Sequence, residues 1–219
     1  ALYNDEAELV IYDTPGPNNS QDDNHEALTM GVINDGGYGL ILYVLNATQL
    51  GVNDDRSLLE KIKEALEKDP SKEILFLLNK ADCLDEEKGE RLDQVVIRTQ
   101  KYLTEIGFNN PTIIPTAANY ALVLQKMLNE EQLTRSERSE LRTALDTLNT
   151  NLIVTSTIET EQKLNLLNKI KKAKTEGRVK IANGNTITRQ RLERSLMKSG
   201  FGVVNYLLQR KINSNSFIK

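Results

Sequence analysis

The chain has 219 residues, enough for one α/β domain with a helical extension and too few for two large domains. Apolar residues make up 39% and charged residues 27%, which excludes a disordered or fibrous protein. The 28 basic and 31 acidic side chains leave a net charge of -3, which argues against a domain built mainly to hold polyanions, so no specific nucleic-acid partner is expected.

One cysteine, Cys83, excludes an internal disulfide and suits a reducing compartment. The longest apolar run, Leu40–Leu45, is far short of the ~20 residues of a membrane helix, and no leader-like pattern opens the chain. A soluble, cytoplasmic protein is expected. The first residue is Ala1 and a strand-like run follows almost at once, so the chain reads as a piece of a longer one.

Leu9–Tyr12 is a short apolar, β-branched run and predicts a strand that ends in Asp13-Thr14-Pro15-Gly16-Pro17. Residues 18–24 are polar and read as a loop, and His25–Asn34 has helical spacing, closed by Asp35-Gly36-Gly37. Leu40–Leu45 predicts a fully buried strand ending at Asn46. Leu58, Leu59, Ile62 and Leu66 mark an amphipathic helix over 54–68, stopped by Asp69-Pro70. Ile74–Leu78 predicts another buried strand, ending at Asn79. A helix over 87–106, stopped by Gly107, and a short strand at Thr112–Ile114 complete the alternation.

Alternating strands and helices with continuously apolar strands specify a parallel sheet covered on both faces, with ligands bound beyond the strand C-termini. Asp13, Asn46, Asn79 and Thr116 all follow such termini and should gather on one edge. From Ala118 onward the chain turns helical and charged. Thr134-Arg135-Ser136-Glu137 is a capping-box pattern opening a helix with Leu141, Leu145 and Leu148 on its apolar stripe. Leu164, Leu167 and Ile170 mark a further helix. Leu192 and Leu196, then Val203, Val204, Leu207, Leu208 and Ile212, mark two more around Ser199-Gly200.

The chemistry rests on two tetrapeptides. Asp13-Thr14-Pro15-Gly16 ends one predicted strand and Asn79-Lys80-Ala81-Asp82 ends another. Each alone could be an ordinary turn or helix-start loop. In this order, each at a strand terminus, they resemble the third and fourth motifs of the guanine-nucleotide-binding P-loop proteins. The resemblance implies GTP or GDP and Mg2+ as ligands.

Under it, Asp13 holds Mg2+, a hard cation that takes oxygen ligands. Gly16, with Thr14, stands at the reacting phosphate, where the missing Cβ lets a backbone N–H come close. Asp82 accepts two parallel hydrogen bonds from guanine N1–H and the 2-amino group. Adenine lacks both donors, a mismatch costing on the order of 2–5 kcal/mol. Asn79 offers its amide to the base edge and neighbouring loops, and the stem of Lys80 lies along the base. Pro115-Thr116-Ala117-Ala118-Asn119 is similar to the fifth motif, where backbone N–H groups at Ala117 and Ala118 face the guanine oxygen.

Asp-Thr-Pro-Gly-Pro-Asn with a long polar loop, Asn46-Ala47-Thr48-Gln49-Leu50 before Asp54-Asp55, Ile114 through Leu122, and Arg194 through Phe201 together resemble bacterial members of the dynamin superfamily over residues 5–125 and 190–213. That resemblance implies a P-loop GTPase-type three-layer fold. It divides the chain into a partial GTPase domain (1–125), a helical insertion (126–190) and closing helices (191–219). It further implies GTP hydrolysis stimulated by homodimerisation across the nucleotide-side face. Membrane remodelling or scaffolding would follow through regions not in this chain, with a peripheral membrane location for the parent.

The departures are equally specific. No glycine is followed by lysine, so the Gly-x-x-x-x-Gly-Lys-Ser/Thr phosphate loop is missing, and so is the first-switch threonine. Both are expected upstream of Leu9 in a longer parent, leaving this chain inactive alone. The missing first strand would lie between Leu9–Tyr12 and Leu40–Leu45, so these two runs should pair directly or recruit another chain. A ribosome- or RNA-associated GTPase and a non-enzymatic interaction module are the competing readings. His25 and Cys83 read as bystanders. The basic run Lys169, Lys171, Lys172, Lys174, Arg178 and Lys180 reads first as a solvated helix end favoured by the macrodipole, with a phosphate- or lipid-binding role as the alternative.

Overall fold

The computed structural model describes residues 10–14, 24–34, 39–49, 54–181 and 185–215. Gly16 and the polar loop 18–23 lie outside the described residues. Helix α1 (Asn24–Asn34) leads to strand β1 (Leu40–Asn46), helix α2 (Asp54–Lys68) and strand β2 (Glu73–Asn79). Helix α3 (Leu92–Ile106) and strand β3 (Ile113–Pro115) follow. Helices α4 (Ala118–Leu128), α5 (Arg135–Thr147), α6 (Asn151–Thr155) and α7 (Thr160–Lys172) come next. A small hairpin of β4 (Arg178–Lys180) and β5 (Thr186–Thr188) precedes α8 (Arg189–Lys198) and α9 (Phe201–Asn215).

The described sheet is parallel in the order β1-β2-β3, with Asn46 opposite Asn79 and Leu78 opposite Pro115. Successive side chains of β2 point to opposite faces, so Phe76 and Leu78 enter one core and Leu75 and Leu77 another. The first core is roofed by α2 and α3 through Leu59, Val95, Val96 and Leu103, with Phe76 edge-on to Phe108 at 5.1 Å. The second is roofed by α7 and α9 through Leu166, Ile170, Val203 and Val204. The result is a mixed α/β architecture with helices on both sides of a three-stranded parallel sheet. Buried faces on both sides explain why β2 is continuously apolar.

Residues 126–190 share their cores with their neighbours. Leu141 and Ala144 of α5 pack with Val123, Leu124 and Met127 of α4, Leu192 of α8, and Val179 and Ile187 of the hairpin. Thr157 closes the outer edge of β3. Its N–H donates to the Ile113 carbonyl (2.9 Å), and its hydroxyl accepts from Ile113 N–H (2.7 Å) and donates to Pro111 O (2.8 Å).

Four expectations change. Val10, Ile11 and Tyr12 form no strand and are 60–75% exposed, so the direct pairing with the Leu40 strand does not occur among the described residues. β1 is consequently an edge strand there, and it is not fully buried: Val44 is 59% exposed and Leu42 is exposed beside it. The helix expected from 87 begins at Leu92, because Gly89 turns left-handed (φ 81°) after a 3-10 turn at Glu86–Lys88. On α7 the buried stripe is Leu166 and Ile170, while Leu164 is exposed, since the second core lies one helical step from the expected face. No described helix is long and apolar enough to cross a membrane.

The capping box at α5 is present in full. Thr134 Oγ1 accepts from Glu137 N–H, and the Glu137 carboxylate accepts from Thr134 N–H (2.7 Å) and from Lys126 of α4 (2.5 Å). Lys126 and the Thr134 donors hold the Glu137 carboxyl down at about 2, against an ordinary 4.5. A carboxyl with a depressed folded-state pKa stabilises fully above about 4.5 and loses that contribution as pH falls through about 2. Glu137→Gln should therefore lower the urea midpoint at neutral pH. It should also flatten the acid limb of stability across that window, read from unfolding curves at successive pH values.

Candidate functional site

The C-terminal ends of β1, β2 and β3 form one rim, as the parallel register requires. Ala47 N–H donates to Asn79 O (2.8 Å) and Thr116 N–H to Leu78 O (2.9 Å), so the chain leaves all three strands at one level. At β1, Asn46 Oδ1 accepts from the N–H (3.1 Å) and hydroxyl (2.9 Å) of Thr48, a side-chain-closed turn that directs the chain off the sheet.

At β2, Lys80 adopts the left-handed conformation (φ 61°, ψ 28°), uncommon for a residue with a side chain. This swings the chain from the strand into a 3-10 turn at Ala81–Cys83, closed by Cys83 N–H on Lys80 O (3.0 Å). Ala81 is buried and its N–H reaches Thr116 O (3.1 Å), while the Lys80 side chain is exposed. Asp82 is half-buried. Its carboxylate receives the Cys83 thiol at 3.8 Å, and burial pushes its pKa above the ordinary carboxylate value, with Glu140 adding to the rise. Tyr120 of α4 faces the same charge. Its hydroxyl is pushed up first by burial and then by Asp82.

At β3 the Thr116–Ala118 turn starts α4. Ala117 precedes the helix and has no side-chain oxygen to cap it. Asn79 supplies the cap from β2: its Oδ1 accepts from Ala118 N–H (3.1 Å) and from the Thr116 hydroxyl (3.4 Å). Its Nδ2 has no partner among the described residues. The turn is held from the other side by the α8–α9 junction, where Ser199 O accepts from Ala117 N–H (2.9 Å). Gly200 (φ 88°) lies against β3 so closely that a Cβ there would stand 2.0 Å from Pro115 O.

Of the sequence-predicted residues, the structure brings Asn79, Lys80, Asp82, Ala117 and Ala118 to one place. Asp13 and Thr14 sit in the 10–14 segment, which forms no strand; Asp13 is exposed, and no hydrogen bond or ion pair joins the segment to the rim among the described residues. Gly16 lies outside the described residues. The N–H groups of Ala117 and Ala118 are both engaged within the protein, so neither is free to face a ligand. Among the described residues no group of three or more His, Cys, Asp or Glu side chains could hold a metal ion.

Sequence reasoning missed Tyr120, Ser199 and Gly200 as parts of the rim. Only the Ser-Gly break between two apolar runs hinted at a tight turn there. Comparison of the chain with protein-family models and with curated proteins returned no match.

Two substitutions test this construction. Asn79→Ala removes the α4 cap and should cost roughly 1–2 kcal/mol and speed hydrogen exchange at the Ala118 amide, whereas Asn79→Asp keeps an acceptor and should retain most of the protection. Gly200→Ala forces a side chain into a left-handed position against Pro115 and should cost about 2 kcal/mol or more, read as a fall in the urea midpoint.

Proposed function

We propose that the rim of Asn79, Lys80, Asp82 and the Thr116–Ala118 turn recognises a guanine base, as part of a dynamin-like GTPase domain of P-loop type. The observation that carries this reading is the Ala118 N–H to Asn79 Oδ1 bond (3.1 Å). It joins two segments that the resemblance independently assigns to the same base. Among the described residues the Asp82 carboxylate takes the Cys83 thiol and its own backbone N–H, and it keeps acceptor capacity for two parallel donors. Burial raises the cost of leaving it charged and unpaired, and guanine N1–H and the 2-amino group relieve that cost where adenine does not.

Lys80 is exposed beside it, with its stem free to lie along the ring. The free Nδ2 of Asn79 takes the donor role toward the guanine carbonyl that the engaged amides of Ala117 and Ala118 cannot fill.

Under the same reading the ligand is GTP or GDP with Mg2+. The reaction is attack of water on the γ-phosphate, stimulated by homodimerisation through this face, and the process served is membrane remodelling or scaffolding. These 219 residues contain no Gly-x-x-x-x-Gly-Lys-Ser/Thr loop, so the chain's own share of that chemistry is base recognition, and alone it should not hydrolyse GTP. The exposed position of Asp13 favours one other reading, a module that kept the rim and lost the chemistry.

Base recognition without phosphate contacts is weak and suits amide-detected NMR at millimolar nucleotide. GMP should shift the Ala81–Cys83 and Asn119 amides and saturate, while AMP should not. Asp82→Asn should weaken GMP by about thirtyfold and favour XMP, whose C2 carbonyl matches the new amide donor. Since Asp82 titrates above the ordinary range, GMP shifts should fade on acidification before an ordinary carboxylate would protonate. Equal shifts with both purines would end the proposal, and no response to either would favour the interaction module.

A further inference from the structure

The net charge of -3 conceals a strong segregation. Between residues 160 and 215 there are thirteen Lys and Arg against three Asp and Glu. This stretch carries α7, the hairpin, α8 and α9, and it forms a hollow between α7 and α9 lined by Asn165, Asn168, Lys169, Lys172, Ala173 and Tyr206. The hollow lies on the α7–α9 side of the sheet, and none of its lining residues belongs to the Asp82 rim.

The ordinary reason for lysines at a helix C-terminus is to satisfy its last carbonyls. That work is done here by other residues. Arg194 Nη2 donates to Lys171 O (2.9 Å) and Ala173 O (3.0 Å), and Gln190 Nε2 donates to Ala173 O (2.6 Å). Lys169 and Lys172 have no ion pair among the described residues. Instead Lys169 Nζ stands 5.2 Å from the centre of the Tyr206 ring, and the Arg210 guanidinium 5.9 Å from it. One aromatic ring thus gathers two cations beside a third, with two asparagine side chains on the same helix face. Like charges at this spacing repel, and nothing acidic in the hollow offsets them.

We infer that the hollow between α7 and α9 is a binding site for a phosphomonoester anion. The charge assembly selects an anion, the two asparagine amides supply neutral donors to phosphate oxygens, and the engagement of Tyr206 by cations leaves it poorly placed to stack a base. A free phosphorylated metabolite and a lipid phosphate headgroup share this chemistry.

The test uses the chain with glycerol 3-phosphate, followed by calorimetry, and with phosphatidic acid vesicles against phosphatidylcholine vesicles, followed by co-sedimentation. Binding to glycerol 3-phosphate, or to phosphatidic acid vesicles alone, supports the site and identifies its source as free or membrane-borne. The double variant K169A/K172A should weaken the bound probe by about tenfold or more, both positions being exposed and outside the core. Lys101→Ala, on the opposite face in α3, should change nothing. The Asp82→Asn variant should also bind the probe unchanged, which separates this site from the rim. Absence of binding to either probe would overturn the inference, as would binding indifferent to K169A/K172A, an equal loss in Lys101→Ala, or tighter binding of a mixed-sequence single-stranded RNA.

Discussion

The carboxamide of Asn79 is the interaction on which the rim depends. α4 starts at an alanine pair that cannot cap itself, and its first N–H would be an unsatisfied donor next to a buried turn. Asn79 reaches across from the neighbouring strand and accepts that N–H at 3.1 Å while holding the Thr116 hydroxyl. One side chain therefore ties the end of β2, the end of β3 and the start of α4 into a single piece. The cap uses only the carboxamide oxygen, and the amide nitrogen has no partner among the described residues.

The rim is also built from far along the chain. The α8–α9 junction lies some 80 residues after the Thr116 turn, yet Ser199 O takes the Ala117 N–H and Gly200 fits where no Cβ could. α9 then runs from this junction along the second core toward the start of β2, where Lys211 pairs with Glu73 at 2.5 Å. A shift of α9 would thus be felt at the rim through backbone contacts, because the close approach at Gly200 leaves no slack to absorb it.

Electrostatically the molecule has two regions of different character. At the rim stands a half-buried carboxylate whose pKa burial raises. Between α7 and α9 cations are clustered around one ring. Averaging over the chain hides both, and the near-neutral total that argued against polyanion partners holds only as a statement about the whole sequence.

Local patterning made much of this legible in the sequence itself. The span of α2, the cores of β2 and β3, the capping box at Thr134 and Glu137, and the Ser199–Gly200 break all follow from periodicity and turn chemistry that act over a few residues. The Asn-Lys-Ala-Asp and Pro-Thr-Ala-Ala segments could be placed at strand ends for the same reason. Tertiary structure decided what depends on neighbours distant in sequence. Val10–Tyr12 has strand composition but gains no partner in the described sheet, so its residues stay exposed. Leu40–Leu45 looks fully buried by composition, yet an edge strand covered on one side cannot be. Which amide caps α4, which glycine fits beneath β3 and which lysines are relieved of capping duty by Arg194 are settled by contacts between residues about 20 to 85 apart, about which a sequence read locally is silent.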